Sequence, residues 1–258
     1  MDSILFAGAA LCFAVCAARI KAGWPAPLAG AGVGLVCLAL FAARTQLAAS
    51  FHIGHIAAVF AVLAAAVLLV IDFRLRFVRS WRIIPAFASG AALMALLPLP
   101  GHVLADASLL WIGHALPAAL SYACFAVAIA QLLDVHWAIS SLRTADARQP
   151  EEGNMPLLQM ESSAFATIYF AFALLTATLA SGIVLNYVAE APLLDFNHKH
   201  LFALLTWLAS LVLIAGRLLW GWRGNTALHW LTAAGLFLLL SYMGTVFVLD
   251  VILGRQGT

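Results

Sequence analysis

The sequence predicts an all-α protein, a polytopic membrane helix bundle of about eight transmembrane helices with both termini outside. Three observations lead there. Hydrophobic residues make up 65% of the 258 positions and charged residues only 9%, with a mean hydropathy of +1.03. A soluble domain needs roughly a quarter of its residues charged to cover a water-facing surface. The apolar residues fall into runs near the length of about 20 residues that spans a bilayer. Finally, Lys and Arg alternate from one connection to the next, as the positive-inside rule requires.

On the length criterion the spans read as 3–19, 26–43, 47–71, 83–98, 108–133, 164–188, 200–219 and 229–253. The first opens on Met1-Asp2-Ser3 with no basic lead and ends in Arg19-Ile20-Lys21, so it reads as a retained helix and not a cleaved signal. Pro25 and Pro27 separate it from the second. Four arginines (Arg74, Arg76, Arg79, Arg82) follow the third, and Pro98-Leu99-Pro100-Gly101 closes the fourth. The longest connection, 134–163, reads as a polar cytoplasmic linker between a five-span half (1–133) and a three-span half (164–258) of a single integral domain, residues 1–258. No internal repeat is evident, and no soluble domain of any size is expected.

The connections after spans one, three, five and seven carry ten basic residues: Arg19, Lys21, the four arginines, Arg143, Arg148, Arg217 and Arg223. The termini and remaining connections carry three, Arg44, Lys199 and Arg255. The expected location is therefore a bacterial inner (plasma) membrane, multi-pass, with periplasmic N- and C-termini and cytoplasmic basic loops. The net charge of +2 points to no nucleic-acid partner, because the basic residues are spread over these loops.

The four cysteines (Cys12, Cys16, Cys37, Cys124) lie in apolar runs with no zinc or iron–sulfur spacing. Cys12 and Cys16 share a helix face and read as small packing residues, with a thiol pair as the alternative. No phosphate loop or nucleophile elbow is present. Carboxylates within the spans are almost absent, Asp250 being the main exception, which speaks against a proton-coupled transporter.

The histidines carry the chemistry. His52, His55, His114, His198 and His200 all fall at or just inside the outer ends of spans. One ring near a helix end is ordinarily interfacial. Five in one layer are harder to explain so, because polar rings at depth are costly and usually face a bundle interior. His52 and His55 stand three residues apart, on nearly one face of span three. At 1.5 Å per residue, His52 and His114 lie about 8–10 Å below their span starts. Similar depth on two helices suits a shared ligand, and neutral imidazole is a standard ligand for haem iron. Gly54 and Gly113 would let a flat ligand or a second helix come close. Trp111 and Phe51 could stack on it, although a headgroup-level aromatic belt accounts for either one alone. His102 lies in an outer loop. His136 and His229 fall near cytoplasmic ends and are assigned no role.

Residues 110–253 carry a resemblance in order and spacing: Ile112-Gly113-His114 leading into Leu120-Ser121-Tyr122-Ala123, Met155-Pro156-Leu157-Leu158-Gln159-Met160-Glu161, His198-Lys199 before Leu204-Leu205-Thr206-Trp207, Gly221-Trp222-Arg223-Gly224, and Ser241-Tyr242-Met243-Gly244. Together these resemble the cytochrome c assembly (CcsA-like) family of the haem-handling superfamily. The likeness is closest to its small eight-span branch, of YpjD and HemX type. It implies haem handling, with His114 and His198 as carried-over family histidines. His52, His55 and His200 are assigned from position alone.

The chain departs from full haem-delivery members. The tryptophan-rich outer loop before span seven and the histidine after the last span are both missing. That argues against delivery of haem to apocytochrome. The expected function is a haem-binding accessory or assembly protein, not an enzyme. A haem of b type would be held by His114 and one of His52, His55, His198 or His200, with Trp111 nearby. Expected partners are membrane lipid and other cytochrome-maturation or haem-pathway membrane proteins. Two alternatives stay open: an electron-transfer subunit between quinol and a periplasmic partner, and a cofactor-free structural or regulatory subunit.

Overall fold

The computed structural model describes residues 2–18, 31–36, 50–52, 59, 62–67, 69–70, 83–94, 101–103, 109–144, 157–188 and 198–241. These form a membrane helix bundle. In chain order the elements are α1 (Asp2–Ala18), β1 (Ser50–His52), α2 (Ile83–Met94), β2 (Gly101–Val103), α3 (Leu109–Thr144), α4 (Leu157–Val188), α5 (His198–Trp220) and α6 (Gly224–Leu239). Residues 31–36, 62–67 and 69–70 are also helical. Helical residues therefore fall inside each of the eight apolar windows. Among the described residues, three stretches are long and apolar enough to cross a bilayer: Gly113–Ser140, Leu157–Val188 and Lys199–Trp220.

α3 is the central element. It buries half of its apolar window inside the molecule, against 17% for α4 and 28% for α5. Its sequence explains this, because two faces are lined by small or apolar residues. Ala123, Val127 and Ala130 face a cluster with Phe6, Phe13 and Cys16 of α1 and Ile84 and Ala88 of α2. Cys124, Phe125, Ala128 and Leu132 face a second cluster with Phe165 and Ile168 of α4, Leu213 of α5 and Leu231 of α6. In lipid the drive for this packing is close van der Waals fit and interhelical hydrogen bonding, so small residues at the seams are favourable. Gly235 shows the closeness: a Cβ there would lie 2.7 Å from Ile129 Cδ1.

Polar side chains tie the helices together at specific heights. Ser89 Oγ donates to the Ala10 carbonyl (3.0 Å), joining α2 to α1. Tyr122 Oη donates to the Leu238 carbonyl (2.7 Å), joining α3 to α6. Trp207 Nε1 donates to Thr176 Oγ1 (3.0 Å) while its ring stacks on Phe172, joining α5 to α4. Ser241 Oγ donates to the Lys199 carbonyl (2.8 Å), which clamps the start of α5 to the residues just after α6. Cys16 and Cys124 are buried in the two packing clusters, one in each.

Three sequence expectations are corrected. Residues 50–52 are not the start of a helix. They form a short antiparallel ladder with β2, pairing Ser50 with Val103, Phe51 with His102 and His52 with Gly101. β-Branched and aromatic neighbours beside a Gly-containing partner satisfy backbone groups across a ladder as readily as along a helix. Next, α3 continues past 133 to Thr144 and α4 starts at Leu157, so both helices take residues from the expected linker. As a result, carboxylates are not confined to span ends and loops. Asp134 and Glu161 sit inside α3 and α4, 2% and 8% exposed. A helix tolerates such groups where neighbouring helices supply partners.

Candidate functional site

α3 and α4 run antiparallel with a constant pairing register. Gln131 Nε2 donates to Ser163 Oγ across the seam (3.1 Å), and His114 Nδ1 meets Ser181 Oγ (3.0 Å) sixteen or more residues further along both helices. The hairpin thus has a polar group at each end and an apolar middle.

The His114 end holds the candidate site. His114 enters on the second turn of α3, three residues before Pro117, which removes one ladder donor from that turn. The imidazole is half-buried and rests against α4. Ser181 Oγ, 3.0 Å from Nδ1, donates in turn to the Thr178 carbonyl, also at 3.0 Å. Gly182 leaves room for the ring: a Cβ there would stand 3.3 Å from His114 Cε1. Lys199 and His200, on the first turn of α5, are within electrostatic reach of the imidazole, and both are exposed. Beyond Gly182, α4 presents the exposed apolar side chains Ile183, Val184, Tyr187 and Val188.

The residues expected from sequence are only partly brought together. His114 and His200 lie within electrostatic reach of one another. His198 is the first residue of α5, two before His200, but its side chain falls outside the described residues. Trp111 lies three residues before His114 on α3, and its side chain likewise falls outside them. His52 belongs to β1, not to a helix, so the shared helix face with His55 does not hold; His55 itself lies outside the described residues. Among the described residues, no group of three or more His, Cys, Asp or Glu side chains is gathered to hold a metal ion. Axial ligation of a porphyrin iron asks for only one or two imidazoles, so the requirement differs.

A haem fits the chemistry of this end on three counts. With Nδ1 bonded to Ser181, the ring has a second nitrogen, Nε2, of the kind that ligates iron. Exposed apolar side chains follow Gly182 on α4. Lys199 lies within electrostatic reach and carries the charge that would offset an anionic group.

The opposite end holds residues whose importance sequence reasoning missed. Arg217 Nη1 donates to Glu161 Oε1 at 2.9 Å, and the guanidinium lies 4.2 Å from the Phe165 ring centroid. The same Nη1 donates to the Trp222 carbonyl (3.4 Å), and Arg223 approaches Glu161 at 4.0 Å. Gly221 ends α5 at φ 66°, which reverses the chain and seats the Trp222 indole on Gly216. Trp220, Trp222 and Trp230 then stack in sequence, with centroids 5.9 and 5.8 Å apart. His136 donates from Nδ1 to Asn225 Oδ1 (2.6 Å), and His229 is exposed. This end reads as a lock on the α4, α5 and α6 termini. The signal for it was present in Glu161, Arg217 and the Gly-Trp-Arg-Gly stretch, but pairing across 56 positions is not visible without the fold.

Comparison with known proteins follows this division. The chain is 29% identical over 224 residues to a 28.8 kDa protein of Azospirillum brasilense from the nifR3-like 5′ region, covering 82% of this chain and 81% of that one. No solved structure matches it. The family described as cytochrome C assembly protein matches residues 48–253, which include α2 through α6 and every histidine considered above. The chain belongs to the cytochrome c assembly protein family.

Proposed function

We propose that the protein is a haem-binding membrane protein of cytochrome c assembly type, of the small eight-span branch, in which His114 ligates the haem iron. The observation that carries this reading is the environment of His114. A half-buried imidazole on a membrane helix is bonded through Nδ1 to Ser181 and seated against Gly182, whose lack of a side chain makes room for the ring. Polar rings at such depth are retained for function by default, and family membership makes haem the natural ligand.

His200, within electrostatic reach of His114, is the first candidate for the second ligand, with His198, His52 and His55 as the alternatives. Lys199 would neutralise a propionate, and Trp111 would flank the porphyrin. Bound haem, of b type, would supply an iron centre that is stored, protected or passed on. Its partners would be other haem-pathway or cytochrome-maturation proteins of the inner membrane. The chain's own residues would supply a ligand in His114 and a charge in Lys199, with exposed apolar side chains of α4 close by in sequence.

Hemin titrated into the detergent-extracted, haem-depleted protein should produce a Soret band that saturates at equimolar ratio. His114→Ala should weaken binding at least tenfold. An unchanged titration in that variant would remove His114 from the site. Should the bound haem be reversibly reduced by a quinol analogue, the electron-transfer reading would take precedence.

A further inference from the structure

We infer that Ser181 is a positioning residue: it holds the His114 imidazole in the Nδ1–H tautomer and leaves Nε2 as the nitrogen free to ligate. The part of this concerning iron rests on the function proposed above; the part concerning the ring does not.

A serine hydroxyl has a single hydrogen to donate. Ser181 Oγ lies 3.0 Å from the Thr178 carbonyl and 3.0 Å from His114 Nδ1. With its hydrogen directed to the Thr178 carbonyl, Oγ is left to accept, and Nδ1 brings the hydrogen between them.

Several other helical hydroxyls do the same, whereas Ser89 and Ser241 donate to carbonyls of other helices. Thr167, Thr176, Thr206, Ser210 and Ser121 each donate to a carbonyl three or four residues earlier in their own helices. Such back-bonding is the ordinary state of hydroxyl side chains in helices.

Gly182 completes the device. With Cε1 only 3.3 Å from where a Cβ would stand, the ring is seated against α4 at that point, and an added methyl would push it off Ser181. A ring fixed in this way presents one lone pair in one direction. Partners of this kind behind a ligating histidine typically change metal affinity by roughly 10–100-fold when removed.

The test begins without haem. Full-length protein labelled with [15N]histidine, at alkaline pH in nanodiscs, gives nitrogen shifts that distinguish the two neutral tautomers. The His114 signals are identified by their loss in His114→Gln. The wild type should show Nδ1–H, Ser181→Ala should move toward Nε2–H, and Ser181→Thr, which keeps the hydroxyl, should resemble the wild type. Hemin affinity should fall roughly 10–100-fold in Ser181→Ala and recover in Ser181→Thr.

An Nε2–H ring in the wild type would overturn the inference whether or not any variant folds. So would a Ser181→Ala protein with unaltered tautomer. An Nδ1–H ring in a protein with no affinity for hemin would support the positioning role of Ser181 and overturn the haem reading instead.

Discussion

Arg217→Met should destabilise the bundle by about 3 kcal/mol, the low end of the cost of orphaning a buried charge. Glu161 is 8% exposed, and it would lose its 2.9 Å partner. Arg223 cannot replace that partner well, since it stands at 4.0 Å with a side chain 58% exposed to solvent screening. The double variant Glu161→Gln with Arg217→Met should recover most of the loss, because no charge is then left unpaired. Thermal unfolding in detergent, compared across the three proteins, measures both effects. Tyr122→Phe is a milder case. It removes one interhelical bond to the Leu238 carbonyl and should cost about 1 kcal/mol. At this scale the sequence was partly legible. His114 stood out because an imidazole below the start of an apolar span needs a reason. Ser181 did not, because a serine in a long apolar helix reads equally well as a small packing residue.

At the scale of elements, the position of α3 between two clusters sets what the bundle tolerates. Gly235→Leu should cost about 1–3 kcal/mol by overpacking, since even a Cβ would meet Ile129 at 2.7 Å. Leu236→Ala, next in sequence but 56% exposed on the lipid-facing side, should change stability little. The same melting assay separates them. Helix existence was readable from apolar length, but helix ends were not. The polar residues Asp134 and Glu161 looked like the close of one span and the approach to the next. With Glu161 paired to Arg217, the helical ladder of α4 runs through its carboxylate without interruption. At 1.5 Å per residue, the 36 residues of α3 extend about 54 Å, well beyond a hydrocarbon core of about 30 Å. The helix therefore carries its polar end out of the lipid. Residues 50–52 misled for the opposite reason. An apolar run near 47–71 suggested one continuous helix, while the pairing of Phe51 with His102 depends on a segment fifty positions away.

For the whole molecule, the two ends of the bundle have different characters. One holds His114, Ser181, Lys199 and His200 beside exposed apolar surface; the other holds the Glu161–Arg217 pair and the tryptophan stack. From the distribution of Lys and Arg we propose that the first faces the periplasm and the second the cytoplasm. Alkaline phosphatase fused after Thr258 should accordingly be active in a bacterial host, and the same fusion after Arg223 inactive. The reverse pattern would invert the molecule and place the histidine end on the cytoplasmic side. The lock at the tryptophan end restrains α4 and α5 at their inner termini, and so helps keep Ser181 and the first turn of α5 near His114.

The pyridine haemochrome spectrum of gently extracted protein, taken for the wild type and for His114→Ala, tests the central claim most directly. Stoichiometric haem in the wild type and its loss in the variant is the predicted result. A wild type that carries no haem and gains none when expressed with excess precursor, or a variant that retains its full complement, would contradict the account.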